Sequence, residues 1–177
     1  MFEKTLETKT VYKGKILDVS VSKIELPDGR TSTREVAHNS GGVCVLALDE
    51  QENIILVKQF RYPSQEELYE LAGGKHDANE THEETGMREL LEETGYVSNE
   101  VQYLGYIYPT VAYGDEVIHM VLARNCTYRK QALDPGEFVS VETFSLDQVL
   151  HMIETNEIKD GKTIVAVLKY MQFIRHK

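Results

Sequence analysis

Cysteine is scarce in this 177-residue chain, with only Cys44 and Cys126. Two cysteines cannot build a disulfide framework, and no paired-cysteine zinc motif is present, so a reducing compartment is expected. Long apolar runs are also missing. The first residues, Met1-Phe-Glu-Lys-Thr-Leu-Glu7, lack an apolar signal core. Neither a bilayer span nor a secretory leader is therefore expected, and a cytoplasmic location is the simplest reading. Basic charge is in short supply, since 19 Lys and Arg face 29 Asp and Glu, a formal net charge of −10. That balance argues against a nucleic-acid-binding role, which needs a basic footprint. It also repels phosphate-bearing ligands, unless a divalent cation and a few placed arginines reverse the field locally. No repeat, low-complexity tract or linker divides the chain, and its size suits one substantial core.

What is present reads first as strands. Patterns at 9–12, 16–26 and 33–38 precede Gly41-Gly42, with Pro27-Asp28-Gly29 as the turn between the second and third. The apolar runs 43–48 and 54–59 look like neighbouring core strands, with Cys44 a small buried hydrophobe. Further strands are expected at 101–108, 117–123 and 138–144. Thr81 with Glu84 makes a capping box for a helix that ends at Gly95, where a left-handed cap is expected. Ser145 and Gln148 open a second helix reaching about residue 154, and Asp160 caps a third. Strands interspersed with three helices imply an α/β layered domain with a mixed sheet.

The chemistry concentrates in Gly74-Lys-His-Asp-Ala-Asn-Glu80, seven further residues, and Arg88-Glu89-Leu-Leu-Glu92-Glu93-Thr-Gly95. A helix advances about 100° per residue, so Glu89, Glu92 and Glu93 share a face. Met87, Leu90, Leu91 and Thr94 fall on the opposite side, expected to pack on the core. Three clustered carboxylates suit Mg²⁺, a hard ion held by a few carboxylates plus substrate phosphates. Without a cation, like-charge repulsion should raise at least one of their pKa values. Arg88 is within reach of Glu84 and Glu92 as a helix-surface pair. Glu80 has two open readings, a hydrogen bond to the loop before the helix or an approach to metal through water. His76, His82 and His119 show no metal-ligand spacing and read as surface or packing groups.

The pattern G-x5-E-x7-R-E-U-x-E-E-x-G-U, with U a bulky apolar residue, is the Nudix box, and this chain resembles that hydrolase family. Gly74, Glu80, Arg88, Glu89, Leu90, Glu92, Glu93 and Gly95 all fit, with Tyr96 unusual at the closing position. The resemblance implies a Nudix α/β/α sandwich over residues 41–177, preceded by a small N-terminal β-region over 1–40. Arg34-Glu-Val, Gly41-Gly42-Val43, Lys58-Gln-Phe-Arg61-Tyr-Pro63, Glu70-Leu71 and Asp160-Gly-Lys-Thr163 are similar to the ADP-ribose pyrophosphatase branch. That branch implies hydrolysis of a nucleoside diphosphate sugar with Mg²⁺ or Mn²⁺ by a homodimer. By the same resemblance Glu89, Glu92, Glu93 and the Gly73 carbonyl are metal ligands, and Arg88 orients the carboxylates. Arg61, Arg34 and Glu70 are substrate-binding candidates, and an arginine fork such as that of Arg61 suits phosphate. Either Glu116, on the loop after the box, or Glu89 is the general base. Glu116 is followed from a glycine, Gly114, that would give its loop freedom to close. One departure from the branch bears on substrate choice. Thr110-Val111-Ala112-Tyr113 stands where a Ser-Pro-Gly-aromatic segment is usual, and Val-Ala cannot fix the loop as Pro-Gly would. GDP-mannose or another nucleoside diphosphate derivative is thus an alternative substrate, and a noncatalytic nucleotide-ligand sensor an alternative class.

Overall fold

Strict alternation in the apolar runs sends side chains to two opposite faces of one sheet. Cys44, Leu46 and Leu48 enter one core cluster with Ile54 and Leu56, while Val45 and Ala47 enter another with Ile55 and Val57. A strand with both faces buried needs a layer on each side. The computed structural model, which describes residues 1–133 and 136–174, supplies them.

The elements in chain order are β1 (Lys4–Lys13), β2 (Asp18–Glu25), β3 (Thr31–His38), β4 (Gly42–Asp49), β5 (Ile54–Arg61), β6 (Glu66–Glu70) and β7 (Gly73–Gly74). Then come α1 (His82–Thr94), β8 (Tyr96–Val97), β9 (Glu100–Ile107), β10 (Ile118–Tyr128), β11 (Val139–Phe144), α2 (Leu146–Glu154) and α3 (Gly161–Phe173). The chain divides into two compact units, residues 1–41 with 108–117, and residues 42–107 with 118–174.

In the larger unit the sheet is mixed. β10 runs parallel to β4, while β4–β5, β5–β6, β5–β11, β9–β10, β4–β7 and β8–β10 are antiparallel. Leu90 of α1 packs into the cluster of Val45, Ala47, Ile55 and Val57. Leu146, Val149 and Met152 of α2 and Ala166, Val167 and Tyr170 of α3 cover Cys44, Leu46, Leu56 and Leu122 on the other face. This is the expected α/β/α sandwich. Among the described residues no helix is long and apolar enough to cross a membrane.

In the smaller unit β1, β2 and β3 form an antiparallel sheet. The 108–117 segment docks on the end of β3, where Ala37 N–H donates to the Tyr113 carbonyl at 2.7 Å. The Asp115 carboxylate accepts from the Asn39 N–H at 3.1 Å and pairs with His38 Nδ1 at 2.5 Å. Gly114 therefore does not lend this loop freedom, because its neighbours are tied to β3 on both sides.

All three helix starts follow the sequence. Thr81 and Glu84 close a reciprocal capping box, as do Ser145 and Gln148, and Asp160 accepts from Thr163 N–H. Gly95 caps α1 at φ 77°, a conformation that costs a side-chain-bearing residue about 1–2 kcal/mol. One expectation for α1 needs correcting. Leu91 is only half-buried, while Glu93 is 6% exposed. The inward stripe runs through Gly86, Leu90, Glu93 and Thr94, because Gly86 lets the helix settle against Val45, whose Cγ2 would meet a Cβ there at 3.0 Å.

Candidate active site

Arg88 organises the box. Its Nε and Nη2 donate to Glu80 Oε1 and Oε2 at 2.9 and 3.0 Å. Its Nη1 donates to Glu89 Oε1 at 2.8 Å and Glu92 Oε2 at 3.1 Å, and Nη2 also reaches the Lys75 carbonyl at 2.9 Å. A planar guanidinium with this many fixed donors sets the orientation of every carboxylate it touches. The Glu80 bonds are the main cause that pushes Arg88 above its ordinary pKa. In return, Arg88 and then the Thr85 hydroxyl pull Glu80 down to about 2. Glu80 also accepts from the Asp77 N–H at 3.2 Å, so it holds the box loop. The expected Glu84–Arg88 pair does not form, because Glu84 turns back to the Thr81 N–H at 2.8 Å in the capping box.

Glu93 is treated differently. It lies beneath the helix and accepts from the Gly73 N–H at 3.0 Å. Burial first, and the charge of Glu89 second among the raising causes, lift its pKa to about 7. Glu89 is also raised, again mainly by burial. The expected raised pKa is therefore present, but desolvation outweighs like-charge repulsion as its cause. Gly74 permits this arrangement, since a Cβ there would overlap the Glu89 carboxylate. The close approach that the paired glycines allow is made by Glu89.

Carboxylate oxygens are the donor type that a hard divalent cation takes. Glu89 and Glu92 stand on the half-buried side of α1 and Glu93 on its buried stripe, and burial is the first cause that raises Glu89 and Glu93.

Arg61 and Glu70, separate candidates in the sequence, meet each other. Arg61 Nε and Nη2 bind Glu70 Oε1 and Oε2 at 2.6 and 2.8 Å. Glu70 is 2% exposed and also takes the Lys162 ammonium, which in turn reaches Asp160 Oδ2 at 2.9 Å. Burial would raise Glu70, but Arg61 and Lys162 outweigh it and bring its pKa below the ordinary value. The Arg61 side chain stays 44% exposed beyond this fork. Lys162 and Thr163 were not singled out as site residues, although the Asp160-Gly-Lys-Thr163 segment carried the signal. Thr163 Oγ1 accepts the Leu71 N–H at 2.9 Å, which ties α3 to the segment leading into the box.

Arg34 and Glu116 belong to the smaller unit. Arg34 forks onto Glu3, with Nε to Oε2 at 3.0 Å and Nη2 to Oε1 at 2.5 Å. Glu116 is half-buried and directly follows the pinned Asp115.

The histidines pack against one another, His82 stacking on His119 with centroids 3.6 Å apart. His76 on the loop after β7, His82 of α1 and His119 of β10 each offer a ligand atom, and these atoms lie within 4.8 Å of one another. Their sequence spacing concealed this, because His119 reaches the group only through the pairing of β10 in the sheet.

Comparison with known proteins shows the family. A model described as the NUDIX domain matches residues 38–166. The chain belongs to the Nudix family. A second model, described as the nucleoside diphosphate sugar hydrolase N-terminal domain, matches residues 3–37 of this Nudix protein. The chain is 37% identical over 172 residues to an ADP-ribose pyrophosphatase of Bacillus subtilis (strain 168), covering 96% of this chain and 92% of that one. It is 34% identical to a methanol dehydrogenase activator of Bacillus methanolicus, over 99% and 97% of the two chains. A GDP-mannose pyrophosphatase of Citrobacter koseri is 32% identical over 78% of this chain and 76% of its own. A crystal structure of an ADP compounds hydrolase superposes with a TM-score of 0.89 at 16% identity, covering 99% and 96% of the chains. That last likeness bears on the fold alone.

Proposed function

We propose that this Nudix protein is a Mg²⁺-dependent pyrophosphohydrolase that cleaves the diphosphate of a nucleoside diphosphate sugar into a nucleoside monophosphate and a sugar phosphate. The observation that carries this reading is the buried Glu93, raised to about 7, on the helix where Arg88 aligns Glu89 and Glu92. The names of the similar pyrophosphatases support it.

In this reading Glu89, Glu92, Glu93 and the Gly73 carbonyl hold the cation. When bound, Mg²⁺ (or Mn²⁺) neutralises the nonbridging phosphate oxygens and acidifies water. Arg88 keeps Glu89 and Glu92 in one geometry. Glu70 and Lys162 fix the orientation of Arg61, whose exposed edge contacts phosphate. Arg34 is a substrate contact. Glu116 accepts a proton from the attacking water, with Glu89 as the competing base. We further propose a homodimer formed through the N-terminal β-region, where β1 is exposed along its whole length and carries exposed Leu6, Val11 and Tyr12.

Incubation with ADP-ribose, GDP-mannose and UDP-glucose in ¹⁸O-labelled water tests the reading. The expected outcome is Mg²⁺-dependent cleavage, with label in one of the two monophosphates. Absence of cleavage of every member with Mg²⁺ or Mn²⁺ overturns it. Val111-Ala112 favours GDP-mannose or another derivative over ADP-ribose. A second reading, a noncatalytic nucleotide-ligand sensor, draws on the relative named as an activator. Tight nucleotide-sugar binding with turnover indifferent to Glu93→Gln would favour it.

A further inference from the structure

The carboxylates of the box leave one group of metal-competent side chains unused. His76 follows β7, His82 opens α1 and His119 is the second residue of β10. The His82 ring stacks on His119 with centroids 3.6 Å apart and 16° between planes, and His76 stands 4.9 Å from His82. His82 Nδ1 is 3.0 Å from His76 Nε2. His82 and His119 are half-buried, so the group is shielded without being closed to solvent.

A separate observation concerns the outer nitrogens. The Thr85 hydroxyl donates to Glu80 Oε2 at 2.7 Å, so its oxygen has only acceptor capacity left for His76 Nδ1 at 2.8 Å. His76 therefore carries its proton on Nδ1, and its Nε2 lone pair accepts from His82 Nδ1–H at 3.0 Å, a proton that a cation would replace. Thr85 is fully buried, and Glu80 is itself clamped by Arg88. On the far side the Tyr103 hydroxyl lies 2.8 Å from His119 Nδ1, and Nε2 is that ring's ligand atom in the tautomer whose Nδ1–H donates to the hydroxyl. Metal-binding histidines characteristically have their second nitrogen held in this way, which fixes tautomer and ring orientation. Burial and the neighbouring His82 and His76 also push His119 below its ordinary pKa. That favours the neutral imidazole that a metal requires.

We propose that His76, His82 and His119 bind one borderline divalent transition-metal cation of the Zn²⁺ class once the His82 ring turns out of its stack on His119, using nitrogen donors that Mg²⁺ leaves aside. Imidazole suits Zn²⁺, Co²⁺, Ni²⁺ and Cu²⁺, whereas Mg²⁺ takes oxygen. Three protein ligands leave one tetrahedral position for water or another ligand. Glu80 touches both places, holding His76 through Thr85 and the box carboxylates through Arg88. The donor types keep the two cations apart.

The test uses the untagged full-length chain with Mg²⁺ in large excess over the box carboxylates, titrated with Co²⁺ and then Zn²⁺. One equivalent of Co²⁺ should bind with the intense visible absorption of a four-coordinate, nitrogen-rich site, and stoichiometric Zn²⁺ should displace it. His82→Ala and His119→Ala should each weaken Co²⁺ binding by about a hundredfold or more. Glu93→Gln should leave the spectrum intact. Only weak octahedral absorption, displacement of Co²⁺ by Mg²⁺, or binding unchanged in both histidine variants overturns the proposal. Thermal melts in chelator accompany each variant. If His119→Ala does not fold, His82→Ala at the first turn of α1 decides. The outcome is independent of whether any nucleoside diphosphate sugar is cleaved.

Discussion

Glu70 and Glu93 are both carboxylates withdrawn from water, at 2% and 6% exposure, and they titrate in opposite directions. Glu70 receives a two-pronged Arg61 fork and the Lys162 ammonium, and its pKa falls. Glu93 receives a single backbone N–H from Gly73, and its pKa rises to about 7. Burial is common to both, so counter-charge decides the difference. Glu70 is already neutralised by the fold and acts as a strut that aims Arg61 and anchors the start of α3. Glu93 is a buried donor whose charge the fold leaves largely uncompensated, the condition that favours capture of a cation from solution.

The most damaging challenge to this contrast is Glu93→Gln. If Glu93 is the receptive donor, kcat with Mg²⁺ should drop by about 10²–10³-fold. Steady-state assays on the cleaved nucleotide sugar measure it, and an unchanged kcat would dissolve the distinction. Glu70→Gln should act on stability instead. Leaving Lys162 and Arg61 without their shared carboxylate should cost about 3 kcal/mol in urea unfolding. A loss of activity without that destabilisation would make Glu70 more than a strut.

Titration offers a way to see both residues at once, with opposite slopes. The folded pKa of Glu93, about 7, stands above its ordinary 4.5. Between those values the folded chain holds a proton that the unfolded chain has released, so stability falls as pH rises through the window. In chelator, Glu93→Gln should therefore match the parent near pH 4.5 and gain on the order of 2 kcal/mol above pH 7. Glu70 is lowered in the folded state, so its contribution is present above the ordinary carboxylate pKa and is lost as pH falls. Urea midpoints across pH 4–8 for the parent and Glu93→Gln check the first slope.

The sequence announced these two residues unequally, for physical reasons. Helix caps are local chemistry, so Thr81 with Glu84, Ser145 with Gln148, Asp160 and Gly95 were legible from residues a few positions apart. The two-sided strands were legible from continuous apolar runs. Strands β6, β7 and β8, of five residues or fewer, carry too short a pattern to read. The burial of Glu93 depends on how Gly86 seats α1 on Val45, which the helical period alone does not fix. The Glu70–Lys162 pair spans 92 residues, and the histidine group draws on a loop, a helix and a strand. Such sites exist only once the sheet is ordered. Box residues were therefore identifiable by type and spacing, while their division into compensated and uncompensated charges was not.

The finest test of the comparison lies in Arg88, the cation that neutralises the box but has no hydrogen bond to Glu93. If its role were only to cancel charge on Glu80, Glu89 and Glu92, lysine would serve as well. The geometry argues otherwise, because Nε and Nη2 grip Glu80 while Nη1 bridges Glu89 and Glu92. A single ammonium cannot hold three carboxylates at those separate angles. Arg88→Lys should thus keep the net charge and most of the stability, yet lower kcat about tenfold with KM nearly unchanged. A matching rise in KM would instead move Arg88 from orienting the carboxylates to contacting the substrate. An unchanged kcat would mean that charge at this position suffices, and that Glu89 and Glu92, unlike Glu93, need no fixed geometry.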